Sequence, residues 1–330
     1  RLSRLTPPLR SAYTCRPKEI PSCRDQPTAK RAQKQVPSTN WDGQAAHRCG
    51  LSVVESIALS AAERAAERLS GVHAQRAIAA VRETGVVVLE DAVDEAALDA
   101  LHERLLTDTH ALVAARDRGD SIPGWKRGHL QQKPPHHPPY IFRDVVANPF
   151  VIQVTHGVLG DGLFNSFYSG NTNLPGSEAQ PLHRDAQPLW PDGDSDHPAT
   201  TLVVNISPID VHPDNGSTEI WPGSHRVGGE LTKALIEARR AVAPPVRVQA
   251  PKGSVVVRDI RLWHRGVPNV SDQIRHMIAL VHQVPWFHRT HTLRFQTGCE
   301  AEFHSEYLDP NAEFVDAPPD YLFGPHPNHS

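Results

Sequence analysis

Hydrophobic and polar positions divide the chain into distinct textures. From residue 60 to about 112 the apolar residues recur mainly at helical spacing. Ser60-Ala61-Ala62-Glu63 has the form of a capping box, and Gly71 reads as the stop of that first helix. A second short helix is expected over 74–83, ending before Gly85. Val86–Leu89 is an apolar run between a glycine and acidic residues, the pattern of a buried strand. Asp94 can cap a third helix, whose Leu98, Leu101, Leu105 and Leu112 share one face. Residues 118–140 are rich in proline and glycine and read as a long exposed loop at a pocket rim. From about 163 the pattern shortens. Strands are expected over 163–169, 181–186, 199–207, 217–221, 246–250, 254–258 and 276–284, with one helix over about 229–242. Asn215-Gly216, Pro222-Gly223 and Lys252-Gly253 mark turns between them. Many short strands with Gly/Pro turns predict a mainly β sandwich or barrel with flanking helices.

Composition refines the boundaries. Residues 1–50 carry 10 Lys/Arg against 3 Asp/Glu; with −3 for all 330 residues, the remainder stands at −10. That basic opening also holds Cys15, Cys23 and Cys49, three of the four cysteines. Residues 1–55 are therefore expected to be a disordered basic tail, with a transit segment as the competing reading. A single domain is expected over 56–308, followed by a flexible tail at 309–330 that is rich in Pro, Asp and His. The cysteine spacings match no common zinc module and suit a reducing compartment, so a cytoplasmic location is expected. No global basic field argues for nucleic acid, and no apolar run is long enough to span a membrane.

Candidate chemistry centres on two His-X-Asp pairs, His183-Arg184-Asp185 and His212-Pro213-Asp214; His304-Ser305-Glu306 is a carboxylate variant. In extended backbone, residues i and i+2 point to the same face. His183 and Asp185 can therefore converge on one ion. The second pair sits beside Pro213 and Asn215-Gly216, which demand a turn, and is read as a solvated connection. The Glu306 variant lies past the strand-rich region. His136-His137 is flanked by prolines and is read as loop. His264, 79 residues after Asp185, follows the strand-like Gly253–Asp259 and precedes Arg265-Gly266. Two imidazoles and one carboxylate can hold one face of an iron(II) ion and leave the opposite positions open. Arg275, 11 residues after His264, opens the apolar run 276–281. A guanidinium there calls for a carboxylate partner.

These residues resemble the phytanoyl-CoA dioxygenase-like family of iron(II)/2-oxoglutarate oxygenases over roughly 76–290. The resemblance is carried by Pro175–Asp185, Asp214–Arg226, Trp263–Asn269 and Arg275. It implies a cupin-like double-stranded β-helix, or jelly roll. It implies His183, Asp185 and His264 as iron ligands and Arg275 as the anchor of the distal carboxylate of 2-oxoglutarate. Thr218 and Gln180 are implied as further co-substrate contacts, with Asn205 and Asn171 as weaker candidates on cavity-facing strands. The implied reaction consumes O2 and 2-oxoglutarate, releases succinate and CO2, and oxidises a C–H bond. The substrate would be a small molecule, such as a natural-product intermediate or lipid-like acid. Trp190 and Trp221 are candidate substrate contacts, within a pocket drawing on 118–140, 187–198 and the region of Trp286 and Phe287. Asp185 stands where related halogenases lack a carboxylate, which disfavours halogenation. Two competing classes stay open: a cupin-type metal isomerase or hydrolase, and a barrel that only binds.

Overall fold

The computed structural model describes residues 54–122, 124–190, 196–287, 289 and 291–324. The basic segment 1–53 with its three cysteines, most of the acid-rich 192–196 run and residues 325–330 lie outside the described residues. Among the described residues there are twelve strands: β1 (Glu55–Ala58), β2 (Val86–Glu90), β3 (His129–Leu130), β4 (Phe164–Asn173), β5 (Thr201–Ile206), β6 (Glu219–Ile220), β7 (Val246–Arg247), β8 (Val255–Asp259), β9 (His264–Arg265), β10 (Arg275–Gln283), β11 (Leu293–Gln296) and β12 (Ala312–Val315). Seven form one sheet in the order β1-β2-β8-β5-β10-β4-β3, and β7-β6-β9 form a second.

The large sheet works because its side chains alternate with period two. On β5, Leu202, Val204 and Ile206 belong to the main apolar core, and so do Val255 and Val257 on β8 and Ile278 and Leu280 on β10. Their neighbours Val203, Asn205, Arg258, Met277, Ala279 and Val281 line a cavity on the other face. The apolar face is covered by three helices: α2 (Gly71–Thr84), α3 (Glu95–Asp117) and α5 (Pro149–Leu159), with the short α1 (Ala61–Ala65) before α2 and the short α4 (Arg143–Val146) just before α5 in sequence. Leu98 and Leu101 of α3 are fully buried there. Truncating either to Ala would cost about 2–5 kcal/mol through lost transfer energy and the cavity left behind. A smaller apolar cluster, with Val86, Val88, Ile220, Val248, Ala250 and Leu262, joins the other face of β2 to the second sheet.

Several local expectations hold, and their exceptions have physical causes. Ser60 and Glu63 form the capping box: the Glu63 N–H donates to Ser60 Oγ at 3.2 Å, and the Ser60 N–H donates to Glu63 Oε2 at 2.9 Å. Gly71 opens α2 instead of closing α1, because Ser70 caps His73. Gly85 ends α2 at φ +86, where an added Cβ would lie 2.6 Å from the His225 ring. Asp94 caps α3 through Ala96 and Ala97. Helix α5 had no counterpart in the sequence pattern, being apolar almost all round. Residues 181–186 form only an isolated bridge at His183, since Pro181 has no N–H to continue a ladder.

Two expectations about exposure are corrected. His136 is buried, not on an exposed loop: its Nδ1 lies 2.8 Å from the Arg294 carbonyl, and its ring stacks on Phe295. The stretch from 309 is not a flexible tail as far as it is described. β12 pairs in parallel with β11, and the Tyr321 hydroxyl donates to Asp108 Oδ2 at 2.8 Å.

Four buried histidines make the fold acid-sensitive. Burial pushes His136 and His225 down to about 4, and His276 and His282 down to about 3. His276 and His282 face the helices, at 2.8 Å from Thr109 Oγ1 and 3.0 Å from Thr155 Oγ1. The unfolded chain takes up these protons near pH 6.5, whereas the folded chain resists until about pH 4. Stability is therefore complete above pH 6.5 and is lost as pH falls from there towards 4, by up to about 1.4 kcal/mol per pH unit for each histidine. Melting temperatures measured by circular dichroism should be flat from pH 8 to 7 and fall steeply from 6.5 to 4. A flat profile across that lower window would contradict this account.

Candidate metal centre

His183 and His264 face each other across an antiparallel bridge. The His183 N–H donates to the His264 carbonyl at 3.0 Å, and the His264 N–H donates back at 2.8 Å. The bridge continues irregularly, with the Gln180 N–H donating to the Gly266 carbonyl and the Asp185 N–H to the Ile260 carbonyl. Segment 180–185 thus lies along the 260–266 turn, and β9 ties His264 onward to Ile220 of β6.

Each imidazole is oriented by the same local device. Nδ1 of His183 is 2.9 Å from the Pro181 carbonyl, and Nδ1 of His264 is 2.9 Å from the Leu262 carbonyl. A carbonyl can only accept, so each Nδ1 carries the proton and each Nε2 keeps its lone pair. Both lone pairs converge on one carboxylate oxygen: Asp185 Oδ1 is 3.7 Å from Nε2 of His183 and 3.5 Å from Nε2 of His264. The ligand atoms of these three residues lie within 4.8 Å of one another, the one such group among the described residues that can hold a metal ion. At metal–ligand bonds of about 2.1 Å, atoms at right angles stand roughly 3.0 Å apart. A small inward shift suffices.

The electrostatics suit deprotonated ligands. Burial pushes His264 down, and the Arg258 charge adds to that, to about 3. Burial alone would raise Asp185, but the charge of Arg258 and the hydrogen bond from it hold it at about 2. The Asp185 side chain is 35% exposed, and it lines the cavity.

That cavity is about 600 Å³. His183, Asp185, His264, Arg275, Thr218, Gln180, Asn205 and Asn171 all line it, so the sequence-derived set comes together in one place. Gln180 also has a structural task, its Oε1 accepting from the Gly266 N–H at 2.8 Å. Arg275 is 2% exposed. Its Nη2 donates to the Gly216 carbonyl at 2.7 Å, its Nε has no partner, and no described carboxylate pairs with it. Burial, with Arg247 nearby, lowers it to about 10, which still leaves it charged at neutral pH. Gly216, at φ +78, must be glycine, since an added Cβ would lie 2.1 Å from Asn173 Nδ2.

Other candidates fall away. Trp221 is buried, packs beside Trp263, and donates from Nε1 to Glu219 Oε1; it lines no part of the cavity. Trp190 is mostly exposed and edge-on to His197, again away from the lining. No described residue of 187–198 contributes, whereas Gln131 from the 118–140 loop and Phe287 do. His212-Pro213-Asp214 forms the expected turn, closed by Asn215 Oδ1 accepting from the His212 N–H. Sequence reasoning missed Arg258, whose Nη2 donates to Asp185 Oδ2 at 2.7 Å. Its signal was a lone cation at the cavity-facing parity of an apolar strand. It also missed Phe167, Val203, Ile260 and Val281, which form apolar wall.

Comparison with known proteins gives this geometry a family. Dioxygenase af480 of Aspergillus fumigatus is 30% identical over 147 residues, 44% of this chain; the match spans 45% of that relative's length. Among solved structures, the non-haem alpha-ketoglutarate-dependent carbocyclase SnoK from nogalamycin biosynthesis is 22% identical, covering 66% of this chain and 86% of that one, with a TM-score of 0.46. AviO1 from Streptomyces viridochromogenes Tue57 is 23% identical, covering 66% and 98%, with a TM-score of 0.49. The family model described as phytanoyl-CoA dioxygenase (PhyH) matches residues 81–277, well over half of the chain, and with it comes the expected double-stranded β-helix. On that match, the chain belongs to the phytanoyl-CoA dioxygenase family.

Proposed function

We propose that residues 55–324 form one oxygenase domain that uses iron(II), 2-oxoglutarate and O2 to oxidise a C–H bond of a small organic substrate, releasing succinate and CO2. The observation that carries the reading is the pairing of two features in one cavity. One is a His-Asp-His group with its Nε2 atoms turned inward. The other is a buried guanidinium, Arg275, whose Nε has no partner and which pairs with no carboxylate among the described residues. A buried charge left without an opposite charge is costly. An isomerase or hydrolase has no need of such a group, and a binding barrel has no need of three oriented ligands. When bound, iron(II) and 2-oxoglutarate supply the oxidative decarboxylation that activates O2.

The chain's own residues then have distinct tasks. His183, Asp185 and His264 hold the ion from one side. Arg275 takes the distal carboxylate of the co-substrate through its planar fork, with Thr218, Gln180, Asn171 and Asn205 lining the space around it. On β10 the cavity-facing positions run Arg275, Met277, Ala279, Val281, Gln283, so the two ends stand about 27 Å apart at 3.3–3.4 Å per residue. Phe167 is the register partner of Val281 on one side, and Val203 on the other. With Ile260 and Phe287 they line the cavity away from the Arg275 end and suit an apolar substrate body. They also keep water from the reacting bond, while Ser166 and Gln283 offer hydrogen bonds to its polar edge. Hydroxylation is the simplest outcome; desaturation, epoxidation or ring formation differs only in the fate of the oxidised carbon.

Two outcomes are expected. Anaerobic iron(II) with 2-oxoglutarate should give a weak visible charge-transfer band, and His183→Ala and Asp185→Ala should each abolish it along with succinate formation. Persistence of the band in both variants would sink the ligand assignment. Arg275→Lys replaces the fork by a point charge and Arg275→Met removes it. The methionine variant should weaken 2-oxoglutarate binding by about 30-fold or more, a loss of at least about 2 kcal/mol, with iron(II) affinity unchanged. Titration of the band with 2-oxoglutarate reads this directly.

A further inference from the structure

The strand β8 sends one long cationic side chain into the cavity, and nothing in the reaction as proposed above employs it. Arg258 is 6% exposed and sits between Val203 of β5 and Val86 of β2 in register. Its Nη2 donates to Asp185 Oδ2 at 2.7 Å, and its Nε donates to Asn205 Oδ1 at 3.3 Å. Its Nη1 has no partner. The two oxygens of Asp185 are therefore divided: Oδ2 belongs to Arg258, and Oδ1 faces both imidazoles.

The geometry points to Arg258 as the positioning residue of the metal centre, a clamp that occupies Asp185 Oδ2 so that this carboxylate offers the ion a single oxygen. The inference rests on the metal reading above. A free carboxylate can rotate, and it can chelate through both oxygens. Chelation would take one of the three positions left by two imidazoles and one oxygen, and a bidentate co-substrate with O2 needs all three. A guanidinium fixed on a central strand prevents it, because Arg258 is itself held by Asn205 and walled by its neighbours. The clamp also neutralises Asp185, so that the ion keeps more of its positive charge for an anionic co-substrate. Residues that hydrogen-bond a metal ligand from outside commonly change metal affinity about 10- to 100-fold when removed. Arg258 differs from Arg275 in one decisive respect: it already has its carboxylate.

The test uses the full-length chain, anaerobically, with Co(II) as a spectroscopic probe and iron(II) affinity from competition with a chromophoric chelator, both without 2-oxoglutarate. Arg258→Met should lower iron(II) affinity about 10- to 100-fold and change the Co(II) ligand-field bands as Asp185 swings or chelates. Arg258→Lys keeps a cation but loses the fork to both partners; it should fall between wild type and Arg258→Met in affinity and still change the bands. It serves as the deciding variant if Arg258→Met fails to show a wild-type thermal melt. Wild-type bands and wild-type iron(II) affinity in the folded variants overturn the clamp. So does an effect confined to 2-oxoglutarate binding, which would make Arg258 a co-substrate contact instead. A wild-type chain that binds no Co(II) overturns the clamp and the metal reading together. Wild-type Co(II) bands without succinate from 2-oxoglutarate overturn the reaction, while the Arg258 comparison still decides the clamp.

Discussion

The two backbone hydrogen bonds between His183 and His264 are the constraint on which the site depends. They fix two residues 81 positions apart at the spacing of a hydrogen-bonded antiparallel pair. Everything else at the centre follows from that bridge. Asp185 lies two residues on and comes to the same side. Each ring is turned by a carbonyl two residues before it. Pro181 leaves the pairing without a further donor, so the segment stays irregular and can bring Asp185 over to Ile260. A regular strand would have paired more of the backbone and given less freedom to aim the carboxylate.

The large sheet separates two chemistries by parity alone. One face of β5, β8 and β10 is apolar and carries the helices; the other carries Asn205, Arg258 and Arg275 into the cavity. The helical layer keeps the sheet rigid, and rigidity matters because the polar face is held in place largely through backbone register. His276 and His282 show the limit of the division. They lie on the helix side, where Thr109 and the edge-on His102 ring of α3 meet His276 and Thr155 of α5 meets His282. Their burial makes the scaffold a sensor of acid.

Much of this was legible in the sequence, and the gaps have physical reasons. The convergence of His183 and Asp185 was readable because i and i+2 share a face in any extended segment, and this needs no regular strand. Arg275 was readable because an apolar strand that opens with a cation is an exception demanding a partner. Arg258 was not, because it sits among valines and aspartate near a strand end, and only the register with Val203 reveals which face it takes. Trp221 was misassigned for the converse reason: its neighbours suggest a pocket, yet the small second sheet turns it into packing against Trp263. His136 looked like loop because prolines surround it, and its burial depends on Phe295 and Tyr321, far along the chain. The same long-range contacts order 309–324. Propensity is local, and these contacts are not.

The charges in the cavity give a final argument about what it must receive. Arg258 and Arg275 bring two positive charges, and Asp185 brings one negative. His264 is held neutral by burial and by Arg258. Before any ion arrives, the balance is already positive, and a divalent cation raises it further. A neutral ligand would leave the buried Arg275 without a counter-charge. A dianion long enough to reach from the ion to Arg275 lowers the excess at both ends at once. That requirement follows from three side chains and their burial, and it fits a guanidinium at the end of β10 whose carboxylate partner would be the proposed co-substrate.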